Sequence, residues 1–115
     1  MHVVPFAQAP RYEAPGHHGM EMRRLQGREA GPGDSAWIGL STLQPGGGTT
    51  ASASGAEKFY VVLEGRLEVT AALDGATQVA ELGPLDACRI APGESRALRN
   101  PGPGPCRVLL VMANA

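Results

Sequence analysis

PGGGTTASASGAEKFYVVLEGRLEV, Pro45 to Val69, is the stretch that decides the fold. A glycine-rich loop enters the apolar run KFYVVLEG (Lys58 to Gly65), a Leu-Glu-Gly turn reverses the chain, and RLEVTAAL (Arg66 to Leu73) leaves it. Two β-rich runs joined by a glycine turn read as a hairpin. Side chains alternate across a strand, so Lys58, Tyr60 and Val62 share one face while Phe59, Val61 and Leu63 share the other.

The same pattern repeats outward in both directions. MEMRRLQ (Met20 to Gln26), AWIGLSTL (Ala36 to Leu43), TQVAEL (Thr77 to Leu82), DACRIAP (Asp86 to Pro92), SRALRN (Ser95 to Asn100) and CRVLLVMA (Cys106 to Ala113) are short apolar runs. Turn clusters separate them: AGPGD, QPGGG, LDGA, LGPLD, APGE and NPGPGP. Sixteen Gly and ten Pro are too many for a helical protein, and 43% hydrophobic residues are too many for a disordered one. Evenly spaced strands without a long amphipathic helix predict an all-β antiparallel barrel or sandwich. Residues 1–19, with three prolines and little periodicity, read as an N-terminal arm on a barrel domain of residues 20–115. No internal repeat or second domain is expected in 115 residues.

Charge and composition exclude several classes of partner. A net charge of -1 provides no field to hold a phosphate backbone, so nucleic acid is not an expected partner. No run approaches the ~20 apolar residues of a membrane span, and the first residues lack the pattern of a signal peptide. A cytoplasmic location is expected. Cys88 and Cys106 lack any CxxC spacing and are expected as reduced thiols.

From Ser35 to Ala113 the spacing resembles a small single-domain cupin, the double-stranded β-helix barrel. The first motif of that family runs from a glycine across five residues to His-x-His, then three or four residues to a glutamate, then six to a glycine. Anchored on Gly65, it puts the glutamate position at Lys58, the histidines at Ser52 and Ser54, and the leading glycine at Gly46. The second motif falls on APGESRALRN, where Pro92, Gly93, Glu94 and Asn100 match and Arg96 stands where the histidine would be. The resemblance implies an all-β, jelly-roll-like barrel in which all four metal positions have been replaced.

Those replacements carry chemistry. A cupin metal is held by neutral imidazoles and a carboxylate, whereas serine hydroxyls are poor donors and ammonium and guanidinium groups repel a cation. No metal and no cofactor is therefore expected. His17 and His18 are adjacent in a strand and point to opposite faces, so only one could enter the cavity as a substitute ligand. Family analogy puts Lys58 on the inner face with Arg96 across the barrel. Lys58 is also the only lysine in the chain, beside nine arginines.

A plain structural role stands beside each functional one. Lys58 could snorkel and pair with Glu94 or Asp86, and Arg96 could pair with Glu94. Ser52 and Ser54 are loop residues able to hydrogen-bond ligand oxygens, and Tyr60 is core or contact. Trp37 lines the cavity or packs between sheets, since its strand is apolar on both faces. Gly93 and Asn100 have backbone duties, and Cys88 is by default a small buried hydrophobe.

Two functions follow from the resemblance. One is a metal-free binding module that grips a small anionic ligand, carboxylate or sugar-type, with Lys58, Arg96, Tyr60, Ser52 and Ser54. The other is a metal-independent isomerase, lyase or decarboxylase in which Lys58 is the catalytic residue, as general base or Schiff-base lysine. The partner of Lys58 discriminates: a carboxylate fixes it as structure, an apolar surround frees it. A homodimer is expected, because a single barrel buries only one face of KFYVVLEG.

Overall fold

The computed structural model describes residues 1–114, which form ten strands and two single 3-10 turns. In chain order the strands are β1 (Arg11–Tyr12), β2 (His17–Gln26), β3 (Ala36–Thr49), β4 (Ser52–Ala53), β5 (Lys58–Glu64), β6 (Leu67–Leu73), β7 (Ala76–Leu82), β8 (Ala87–Ile90), β9 (Ser95–Arg99) and β10 (Cys106–Ala113). Every pairing is antiparallel. The sheet runs β7-β6-β9-β3-β10-β5-β8, with β2 added along β3 and β4 against β9. The result is a nearly closed barrel whose free edges are β7 and β8.

Alternation works as read from the sequence. In β5, Lys58, Tyr60 and Val62 are buried, while Phe59 and Leu63 are exposed. Tyr60 and Val62 join Leu43, Leu67, Val69, Ile90, Leu98 and Val108 in one core. Burying each of the larger aliphatic side chains contributes about 1.5–3 kcal/mol relative to exposure. The β6–β7 hairpin turns at Asp74 and Gly75, both at positive φ, as a two-residue turn of this hand requires.

Two boundaries differ from the sequence reading. QPGGG is not a turn, because β3 runs through it to Thr49. A side chain at Gly47 would strike the Gly19 carbonyl and one at Gly48 the Leu98 carbonyl, so these glycines are present to let strands pass closely. This lets β3 pair with β10 along its first half and reach β9 at Gly48. The arm also ends earlier than expected, since β2 begins at His17 and residues 17–19 belong to the barrel sheet. The arm contributes β1, which pairs with β2 through Arg11↔Arg23 and Tyr12↔Met22.

Candidate functional site

A cavity of about 390 Å³ opens at one end of the barrel, beneath the arm. Tyr12, Ala14, Pro15 and His17 come to it from the arm and the start of β2, and Arg24 from further along β2. Trp37, Ser52, Ser54, Lys58, Tyr60, Arg96, Leu110 and Met112 complete the wall. That size suits a small organic molecule. Among the described residues no aspartate or glutamate lines it.

Arg96 is buried and held without a counter-ion. Its Nε donates to Tyr60 Oη at 2.8 Å, and its Nη1 donates to Thr49 Oγ1 at 3.1 Å, Ser52 Oγ at 3.2 Å and the Thr50 carbonyl at 3.4 Å. Thr49 is itself fixed by the Leu98 amide, which donates to its Oγ1 at 3.1 Å. Neutral acceptors thus orient the guanidinium and leave its charge uncancelled. Nη2 has no acceptor among the described residues. Such a group can grip a carboxylate or phosphate with little reorganisation.

Lys58 is 4% exposed and makes no ion pair among the described residues. Glu94 instead accepts from the Ala91 amide and Asp86 from the Gly83 amide, so neither carboxylate serves Lys58 or Arg96. The structural ion pairs weighed above are absent. Burial, and then repulsion from Arg96, pulls the Lys58 ammonium below its ordinary pKa. Its strand neighbours across the sheet are Ile90 and Met112. Both strand neighbours are apolar, and among the described residues no carboxylate ties the amine down.

Two tyrosines, Tyr12 and Tyr60, also line the cavity. Burial raises the Tyr60 phenol above its ordinary value against the opposing pull of Arg96, so it stays protonated. Because its oxygen accepts from Arg96, its own proton is left for a ligand. Tyr12 is raised in the same way, with Arg24 as the main opposing charge. Of the two adjacent histidines, His17 lines this cavity and His18 faces an outer groove. Burial holds the His17 imidazole below its ordinary pKa, with Arg96 and Lys58 adding to the effect against the Pro15 carbonyl it contacts at 2.8 Å.

Ser52 and Ser54 both line the cavity, but Ser52 is engaged by Arg96, and Ser54 Oγ bonds both the amide and the carbonyl of Ala56 at 3.3 Å. Trp37 is buried and lines the cavity. Asn100 is wholly structural: its Nδ2 donates to the Leu43 and Gly104 carbonyls and its Oδ1 accepts from the Gly102 amide, each at 2.9 Å. Gly93 turns the chain at a φ of 81°. Cys88 and Cys106 are free thiols, both raised by burial, Cys106 to about 11. Sequence reasoning missed Arg24 and Tyr12. For Arg24 the signal was present, since Met20, Met22 and Arg24 share a strand face.

Fold and site together define a small antiparallel barrel whose cavity presents cations and hydroxyls. Residues 39–112 match the family model described as "Cupin domain", and the chain belongs to the cupin family. It is 47% identical over 100 residues to "Beta-D-galactosidase Rv1717" of Mycobacterium tuberculosis, an alignment spanning 87% of this chain and 83% of that one. Among solved structures it is similar to the polyketide cyclase RemF of Streptomyces resistomycificus, with TM-score 0.81, 25% identity, and coverage of 98% of this chain and 79% of that chain. A predicted oxalate decarboxylase from Thermotoga maritima superposes with TM-score 0.80 at 22% identity, covering 98% and 99%. The metal that cupins commonly hold does not fit here: Ser52, Ser54, Lys58 and Arg96 stand at the four ligand positions. No group of three or more His, Cys, Asp or Glu among the described residues is placed to hold an ion. Among the same residues no helix is long and apolar enough to cross a membrane.

Proposed function

We propose that the cavity holds a small anionic ligand of sugar type, gripped by Arg96 and Lys58. The observation that carries this reading is that two buried cations line the cavity with no carboxylate beside them. An uncompensated charge is costly to bury, and a bound anion relieves that cost. The sugar class is drawn from the relative named as a β-D-galactosidase, and agrees with a wall of tyrosine, tryptophan and serine. Isothermal titration with galacturonate and galactose tests it. Galacturonate is expected to bind and galactose to bind more weakly. Arg96→Ala should cost about ten- to a hundredfold in galacturonate affinity, the worth of a charge-assisted contact in a desolvated site. If no sugar acid binds and Arg96→Ala merely lowers the melting temperature, the cations are architecture.

A second reading, catalysis, is favoured by the unpaired Lys58. Hydrolysis of a glycoside ordinarily uses two carboxylates, and none lines this cavity. Elimination needs none. In a uronate glycoside, Lys58 as the free amine would take the proton on the carbon next to the carboxylate, while Arg96 steadies the charge that builds on the carboxylate. The electron pair forms the carbon–carbon double bond as the carbon–oxygen bond breaks, and Tyr60 would protonate the departing oxygen. An unsaturated product from a galacturonan oligomer, lost in Lys58→Met, is the expected sign of this reading. Its absence would leave binding alone.

The homodimer belongs to the same proposal. Phe59 and Leu63 are exposed on the outer face of β5, beside Val111 and Leu109 of β10. A second copy would cover this face. Light scattering at micromolar concentration is expected to give twice the chain mass, and a monomer would count against it.

A further inference from the structure

Arg24 lines the cavity too, and neither reading above uses it. Its guanidinium carbon lies 3.5 Å from the Tyr12 ring centroid and 4.1 Å from that of Trp37. The two rings meet edge to face, with centroids 5.9 Å apart. A planar cation seated against two aromatic faces has lost much of its freedom before a ligand arrives. Only one of its donors is engaged: Nε meets Glu29 Oε2 at 3.4 Å, a long contact to an exposed carboxylate. Nη1 and Nη2 have no acceptor among the described residues, so the forked edge that suits a carboxylate or phosphate is free.

Arg24 does not simply add to the inner pair. Arg24 lies opposite Gly39 of β3, and β10 stands between β3 and β5, the strand of Lys58. Arg96 instead lies opposite Ser52 of β4 and bonds Tyr60 of β5. Positive charge in the cavity therefore has two centres. One is Lys58 with Arg96, carried by β5 and β9; the other is Arg24, carried by β2 and stacked under the arm. A single acidic group satisfies the inner centre and leaves Arg24 with only its long contact to the exposed Glu29.

We infer that Arg24 is a second anion-binding pole, so that the site takes a small sugar-type molecule with an acidic group at each end. This rests on the reading of the cavity as an anion site and narrows its substrate class from one acid to two. Tyr12, Trp37 and Tyr60 in the same lining suit the ring of such a molecule, and complementary charge at both ends fixes its direction.

Four probes built on one ring test this by isothermal titration with the unmodified protein: galactose, galacturonate, galactose 1-phosphate and galacturonate 1-phosphate. They carry no acid, one at either end, and one at both. The two-acid probe is expected to bind at least about tenfold tighter than the better single-acid probe, with a steeper fall as salt is added. Arg24→Gln should bring it down to the single-acid level, and Arg24→Lys, which keeps charge but loses the planar stack, should fall between. The inference is overturned if the two-acid probe binds no better than a single-acid one, or if Arg24→Gln weakens all three acids alike. If none of the acids binds, the anion-site reading itself has failed and this inference goes with it. The comparison of probes on the unmodified protein decides the matter even if Arg24→Gln does not fold.

Discussion

The outside of the barrel and the inner pair of cavity cations, Arg96 and Lys58, treat positive charge in opposite ways. Outside, arginines are matched with glutamates: Arg66 with Glu81 at 2.6 Å, Arg23 with Glu21 at 2.7 Å, Arg99 with Glu68 at 3.5 Å, and Arg89 with Glu57. Inside, Arg96 and Lys58 have no carboxylate, although Glu94 is only two positions from Arg96. Such surface pairs are worth little for stability, since water screens them well. The buried cations are the costly ones, and they are left unmatched. A chain with enough acid to pair its charges has withheld it where pairing would matter most, and that asymmetry is what the proposed anion site rests on.

Supplying the missing acid should break the contrast most severely. Ser52 Oγ already accepts from Arg96 Nη1, so Ser52→Asp places a carboxylate within reach of the guanidinium. An intramolecular acid competes at high effective concentration, and galacturonate affinity is expected to fall by about a hundredfold or more without loss of melting temperature. Retained affinity would mean that Arg96 is not the clamp.

Deleting the lysine charge should cost less and change the pH profile. Lys58→Met keeps the apolar stem, and the expected loss is about three- to tenfold, because a single ammonium adds a point charge and not a fork. In the wild type, anion binding favours the protonated amine. Affinity should therefore hold steady below the lowered pKa of Lys58 and fall as pH rises through it, starting short of the ordinary lysine range. The variant should show no such fall. Stability carries the matching sign: below the folded pKa the protein bears the full penalty of a buried ammonium, and this is relieved as pH rises toward the unfolded value. Lys58→Met should thus melt higher than wild type at neutral pH, and a lower melting point would point to a structural role.

The smallest effect belongs to the exterior. Arg66→Gln removes one partner of a fully exposed pair with Glu81 and is expected to leave both melting temperature and galacturonate affinity unchanged. A measurable loss in either would show that the outer pairs are not the passive side of the comparison.

Much of this was legible in the chain. Alternation put Lys58, Tyr60 and Val62 on one face of β5 and Phe59 and Leu63 on the other, and each turn at Gly65, Asp74-Gly75 and Gly93 was marked by its own residues. The positions Ser52, Ser54, Lys58 and Arg96 were singled out only through the resemblance to the cupin motifs. QPGGG was misread because glycine serves turns and close strand crossings equally well, and only the neighbour at Gly48, the Leu98 carbonyl, tells them apart. Arg24 was passed over because an arginine in a strand next to another arginine looks like surface until the parity with Met20 and Met22 is followed.

What the sequence determined by itself is local: which residues alternate inward and where the chain reverses. These depend on a two-residue period and on backbone preferences, which act between near neighbours. What only the tertiary structure decided is the company each charge keeps. Arg96 meets Thr49 across 47 positions and Tyr60 across 36, and Arg24 stacks on Tyr12 of the arm, a contact the sequence did not indicate. Whether a buried cation is paired depends on which strands the barrel brings together around it, and no local pattern carries that information.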